Sequence, residues 1–205
     1  MSSDASSEKP SVTDTTAFAI RESRMYNRNV AVLKPQDLAV VLYLCRPSPS
    51  RPPYAQIAAE LSTSPSEVHA AVVRAVASGL LHGTELGHRP NLSALEEFLL
   101  HGMKYAFPAE RGEPTRGVPT SYAAAPLSAL IAPSNDLPPV WPYPSGKVRG
   151  TAFQPLYRGA PKAALRDPLL YEYLALVDAL RDGRARERKL AEELIISRLR
   201  PAVHA

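Results

Sequence analysis

The sequence predicts a mainly α chain: a helix–turn–helix closed by a small β-hairpin, then an irregular proline-rich segment and C-terminal helices. Three observations carry this. The run LSTSPSEVHAAVVRAVASGLL, residues 61–81, places apolar residues at helical spacing between a start signal at Ser64 and a stop signal at Gly79. The turn-rich GTELGHR follows, flanked by two short segments, which is the pattern of a small hairpin. Residues 107–168 then hold 12 of the 21 prolines, which argues against long helices and central strands there.

Residues 1–16 are rich in Ser, Thr and Asp and read as a disordered tail. From Thr16 to Lys34, apolar residues mix with Arg21, Arg24 and Arg28, and the segment fits either an arm or a short helix. Pro35 suits the first position of a helix, PQDLAVVLYLC, with Leu38, Val41, Leu42 and Cys45 at core spacing. RPSPSRPP breaks the chain, and Pro53 opens a second helix, YAQIAAEL. In the third helix Ser64 is a good N-cap, Pro65 fits the first helical position, and Glu67 has capping-box spacing. Its core side is expected to be Val68, Val72, Ala75 and Val76. Ser93 and Glu96 repeat the box spacing ahead of a fourth helix, ALEEFLLHGMKYAF. In the proline-rich stretch Phe107, Tyr122, Trp141, Tyr143, Phe153 and Tyr157 predict order rather than a loose linker. VWPYPSGKVRGTAF is expected to form a hairpin across Pro144-Ser145-Gly146-Lys147. Asp167 and Pro168 start a final helical region striped by Leu170, Tyr173, Leu174, Val177 and Leu180, with a break at Gly183. A last helix presents Leu190, Leu194, Ile195 and Leu199 on one side. The expected segments are thus 1–16, 17–106, 107–167 and 168–205.

Composition sets limits on function. At 205 residues, with 45% hydrophobic and 21% charged residues, the chain matches ordinary globular averages. No run of about 18 uncharged apolar residues suggests a membrane span, and the N-terminus lacks the order of a signal peptide. The expected location is cytoplasmic. Cys45, the single cysteine, is expected to be a structural thiol. The net charge of +4 lies in residues 106–205, whereas residues 28–105 carry only +1. A nearly neutral helix–turn–helix does not bind nucleic acid by charge alone.

The element order from Pro35 to about Tyr105 is that of a winged helix. Within it, Ala58 to Leu61 supplies a short A-x-x-L helix, followed by a Ser-rich turn with Ser64. Ser66 to Val68 gives S-x-V, Arg74 lies deeper in the helix, and Gly79 to Leu81 leads into the wing. This pattern resembles the MarR-like winged-helix transcriptional regulators, over residues about 35–105, a third of the chain. The resemblance implies a DNA-binding regulator, a repressor, acting on double-stranded DNA as a homodimer. Dimerisation also follows from geometry, since two recognition helices meet half-sites about one turn apart.

The expected recognition helix leaves Ser66, Glu67, His69, Ala70, Val73, Arg74 and Ala77 outward. Base contacts come from the N-terminal half of such helices, so Ser66 and His69 are the expected base readers, with Ala70 against a thymine methyl. Arg74 is expected to clamp a phosphate or to form an internal salt bridge. Thr63, Ser64 and the helix N-terminus are expected to donate to phosphates. His88 and Arg89 on the wing, and Arg46 and Arg51 around the proline break, are further candidates for backbone contact.

An alternative is a protein-interaction module, such as an antitoxin or assembly subunit, that grips a partner through 107–205. The candidate partner or dimer residues there are Trp141, Tyr143, Tyr173, Leu180 and Leu194, with Arg184, Arg186 and Arg188 in the basic cluster RDGRARERK. No catalytic set is legible. His82 and His88 lack further ligands at metal spacing. Glu96 and Glu97 diverge by about 100° on a helix. PSGKVRG lacks the leading Gly and the final Ser/Thr of a phosphate loop. No enzyme activity, metal or cofactor is expected.

Overall fold

The computed structural model describes residues 32–48, 52–84, 87–132 and 135–200. The expected tail, the arm up to Ala31 and Arg51 lie outside the described residues. Helix α1 (Pro35–Leu44) starts with proline in its first turn, and Asp37 Oδ2 accepts from the Lys34 N–H at 2.8 Å. Asp37 through Tyr43 are all buried, so α1 is enclosed on every side rather than lying on the surface. Helix α2 (Tyr54–Leu61) ends at Ser62, whose φ of 54° is left-handed. Helix α3 (Pro65–Ala77) follows after a short turn.

Both ends of α3 are fixed by local chemistry. Ser64 Oγ accepts from the Glu67 N–H at 3.3 Å, forming the N-cap half of the expected box. At the other end Gly79 has a φ of +74°, a region that favours glycine. Gly79 N–H then reaches Val76 O at 3.0 Å and Leu80 N–H reaches Ala75 O at 2.9 Å, which closes a Schellman cap. The buried face is Val68, Ala71, Val72 and Ala75, with Val76 only half-buried.

Strands β1 (Leu81–Thr84) and β2 (Gly87–Pro90) form an antiparallel hairpin in which His82 faces Arg89. The next helix begins earlier than Ser93–Glu96 spacing implies. Asn91 is the N-cap, its side chain accepting from the Ala94 N–H at 3.3 Å, and its amide also donates to Gly79 O at 3.0 Å. That second bond ties the hairpin to the end of α3, a role Ser93 stands too late in the chain to fill. Helix α4 (Leu92–Glu97) runs through a wide π turn (Phe98–Gly102) into α5 (Met103–Ala106).

The proline-rich segment departs from expectation. It contains β3 (Arg111–Pro119), β4 (Pro139–Pro142) and β5 (Val148–Phe153), closed into a three-stranded barrel. Of the described residues 54% are helical and 16% lie in strands, so the class is mixed helix and strand with small sheets. β3 pairs antiparallel with both partners, whereas β4 and β5 run parallel, with Pro139 opposite Thr151. The expected hairpin across Pro144 to Lys147 is therefore not formed, although Gly146 N–H does turn back to Tyr143 O at 2.9 Å. Within β4 only Val140 and Trp141 carry N–H groups, since Pro139 and Pro142 have none to donate. The prolines of β3 sit at a register shift (Pro114) and at the strand end (Pro119), where a missing donor costs least. Side chains at Gly117 and Gly146 would collide, Gly117 with the Trp141 carbonyl and Gly146 with the Gly117 backbone.

Helices α6 (Ala160–Ala164), α7 (Pro168–Asp182) and α8 (Ala185–Leu199) complete the described chain. Asp167 caps α7 by accepting from Leu169 N–H at 3.1 Å and Leu170 N–H at 3.0 Å. Tyr173 through Arg181 are buried without interruption, which makes α7 the central helix. α8 buries Glu187, Ala191, Ile195 and Leu199, one residue per turn, with Leu190 and Leu194 only partly covered. Leu38, Val72, Leu95, Trp141, Leu176 and Ile195 belong to one continuous core. Cys45 is half-buried, and loss of solvent pushes its thiol up to about 12, the behaviour of an unreactive structural thiol. Among the described residues no helix is long and apolar enough to cross a membrane.

Candidate nucleic-acid interface

The outward face of α3 carries Ser66, Glu67, His69, Val73 and Ala77 exposed, with Ala70 half-buried beside them. Ser66 Oγ lies 2.9 Å from Ser64 Oγ, so two hydroxyls cluster at the helix start. The His69 ring meets the Tyr54 ring edge-on, with centroids 5.8 Å apart, which steers the imidazole from α2. Val73 is 51% exposed, an apolar side chain that the core leaves out. Thr63 is half-buried and accepts from Gln36 Nε2 at 2.9 Å, so its hydroxyl pins the turn to α1. Arg89 on β2 is exposed and His88 beside it is half-buried.

Two of the expected DNA-contact residues are engaged inside the fold. Arg74 turns inward: Nε and Nη2 donate to Asp37 Oδ2 and Oδ1 at 2.8 and 2.7 Å. Asp37 is fully buried, and its carboxylate holds the Arg74 guanidinium above its ordinary range. Of the two readings open for Arg74, the internal bridge is the one formed, because a buried carboxylate on the facing helix demands a cation. Arg46 is likewise internal. It pairs with Asp167, lies 3.4 Å from Glu60 Oε2, donates to Tyr43 O at 3.3 Å, and stacks 3.7 Å above the Tyr43 ring. Burial works to raise the Glu60 carboxyl, but hydrogen bonds from Gln56 and Tyr43 and the Arg46 charge together hold it below its ordinary value. Arg46 thereby joins the end of α1 to the cap of α7.

Most of the expected partner surface is also interior. Trp141, Tyr173 and Leu180 are 1%, 1% and 4% exposed. Trp141 Nε1–H donates to Asp178 Oδ2 at 2.6 Å, and Tyr173 O–H donates to Arg198 O at 3.2 Å. Tyr143 and Leu194 are partly buried against the same core. Arg184 and Arg186 are exposed, with Arg184 3.1 Å from Asp136, and Arg188 is half-buried.

Sequence reasoning missed a buried network on α7. Asp178 accepts from Thr120 Oγ1 at 2.7 Å, from Trp141, and from Arg181 at 2.7 Å. Arg181 also donates to the carbonyls of Phe107, Pro108 and Gln154 at 2.9, 3.2 and 3.0 Å. Burial pushes the Asp178 carboxyl upward, while Arg181 and the two neutral donors pull against it. The signal available in sequence was the i,i+3 pair of opposite charges inside an apolar stripe. The carboxylate is enclosed by its own partners, and the effect of the network is to lock the strands onto α7. Compared with family models, curated proteins and solved structures, the chain matches none.

Proposed function

We propose that the chain is a sequence-specific DNA-binding regulator. In this reading residues 35–106 form a winged helix that presents α3 to the major groove, with the β1–β2 hairpin as the wing. The observation that carries it is the outward face of α3, where Ser66, His69, Val73 and Ala77 remain exposed on a helix capped at both ends. A helix of this length, roughly 20 Å at ~1.5 Å per residue, fits a major groove about 12 Å wide. Its side chains are short enough to let the backbone approach the base edges. Ser66 and His69 offer donors and acceptors, and Val73 offers an apolar surface to a thymine methyl.

With Arg74 turned inward, Glu67 is the charged side chain left on the exposed face of α3. That face therefore discriminates sequence but contributes little phosphate binding. Arg89 on the wing supplies one cation, and two copies acting together double every such contact. The alternative partner-gripping role loses support, because Trp141, Tyr173 and Leu180 are occupied inside the fold.

The test is a binding titration of the full chain against the DNA upstream of its own coding sequence. His69→Ala is expected to change the ratio of affinities for that DNA and a scrambled duplex, while leaving the melting temperature near wild type. Equal ratios for wild type and variant would remove α3 as the reading element.

A further inference from the structure

The small barrel carries a feature that neither the core nor α3 uses. Arg116 on β3 and Arg149 on β5 are directly opposite each other in an antiparallel pair. Directly opposed side chains share one face of a sheet, with Cβ atoms about 5 Å apart, and like charges in that position destabilise the pair. Both arginines are exposed, and among the described residues neither has an ion-pair partner. Lys147, exposed and two residues before Arg149, is also unpaired among the described residues. An open cavity of about 250 Å³ lies at the pair, lined by Pro114, Thr115, Arg116 and Arg149. The nearest carboxylate on β3, Glu113, lies within the register shift between Arg111 and Pro114 and, among the described residues, forms no ion pair with either arginine. Two arginines therefore share one face of the sheet with no ion-pair partner among the described residues.

We infer that Arg116 and Arg149, assisted by Lys147, form a clamp for a phosphate of the nucleic-acid backbone. This inference rests on the DNA-binding reading and deepens it, since it supplies the phosphate contacts that α3 lacks. Guanidinium forks match phosphate oxygens two at a time, and an anion between them relieves their mutual repulsion. A backbone phosphate is favoured over a base because no aromatic side chain lines the cavity, and base binding outside a duplex relies on aromatic stacking. The clamp contacts duplex DNA without regard to sequence, leaving discrimination to α3.

The experiment measures affinity of the full chain for its own upstream duplex and a scrambled duplex across a salt series. Each phosphate that the protein neutralises adds ~0.9 to the slope of log affinity against log salt, so Arg116→Ala/Arg149→Ala, which removes one clamp, is expected to reduce that slope by about 0.9 for each bound chain. The affinity should fall equally for both duplexes, so their ratio is preserved. Arg149→Glu provides a second variant whose fold is not in question. It places opposite charges across the strands, and is expected to raise the melting temperature while weakening DNA binding further. An unchanged salt slope in the folded double variant overturns the clamp, and the DNA reading still stands if His69→Ala alters the duplex ratio. Failure of the wild-type chain to bind either duplex at low salt overturns both. Displacement of the duplex by poly-glutamate at equal charge concentration overturns the phosphate assignment in favour of an acidic protein segment.

Discussion

Arg74 on α3 reaches across to Asp37 on α1 and binds both carboxylate oxygens, at 2.8 and 2.7 Å, with Asp37 fully buried. The pair fixes α3 to the core and removes the helix's cation from its outward face. Arg74→Ala leaves an uncompensated buried carboxylate and is expected to cost about 3–5 kcal/mol of stability. Thermal or denaturant unfolding checks this. The combined Asp37→Leu/Arg74→Met variant is expected to recover most of the loss, because no buried charge then lacks its partner. Any weakened DNA binding of Arg74→Ala should then follow its unfolded fraction rather than its salt slope.

The Asp178 network predicts a comparable loss at the other end of the core. Asp178→Asn keeps the shape but leaves Arg181, with a side chain 4% exposed, without a counter-charge. The expected cost is about 3 kcal/mol or more. Trp141 is the only tryptophan, so its fluorescence reports whether β4 loosens from α7 in this variant.

Tyr157 gives a prediction of opposite sign. The residue is 8% exposed, and among the described residues its hydroxyl has no hydrogen-bond partner. Tyr157→Phe removes a buried polar atom without losing a bond, and is expected to raise stability by about 1 kcal/mol. A lower melting temperature would mean that the hydroxyl is paired in solution.

Stability is expected to fall in alkali. Burial pushes the hydroxyls of Tyr171 and Tyr173 from 10.0 up to about 12, and the Cys45 thiol from 9.0 up to about 12. These groups keep their protons in the folded chain at a pH where the unfolded chain has lost them. The unfolded state therefore binds fewer protons, and unfolding is favoured as pH rises. Their contribution is intact below about pH 9 and lost progressively towards about 12. Tyrosinate absorbance rising together with loss of helical signal is the expected observation. A full tyrosine titration with the fold intact would contradict it.

Local signals account for what was legible in the sequence. Ser64, Pro65 and Gly79 act through short-range caps, so the limits of α3 followed from spacing alone. The stripe from Leu170 to Leu180 likewise reported a buried helix, though not that it is buried on all sides. What stayed hidden depends on pairings far apart in the chain. Asp37 and Arg74 are 37 residues apart, and nothing local marks them as partners except that Asp37 is the lone charge in α1 and Arg74 the lone basic residue in α3. The barrel was missed because its prolines resemble strand breakers. Only the pairing register shows that Pro114 sits at an irregularity and that Pro119, Pro139 and Pro142 sit at strand ends. Trp141 is a candidate both for a partner surface and for pinning the segment to the helices, because aromatic residues in a proline-rich segment give no sign of which side they face; its burial against α7 is the pinning arrangement.

The most direct test of α3 as a reading helix is selection of bound duplexes from a random pool by the full-length chain. The expected result is a two-fold symmetric motif with half-sites about 10 base pairs apart, or a multiple of that spacing. Ser66→Ala and His69→Ala should shift base preference within each half-site and leave the spacing intact. A pool with no enriched motif, or a motif unchanged by both substitutions in folded protein, would contradict the assignment.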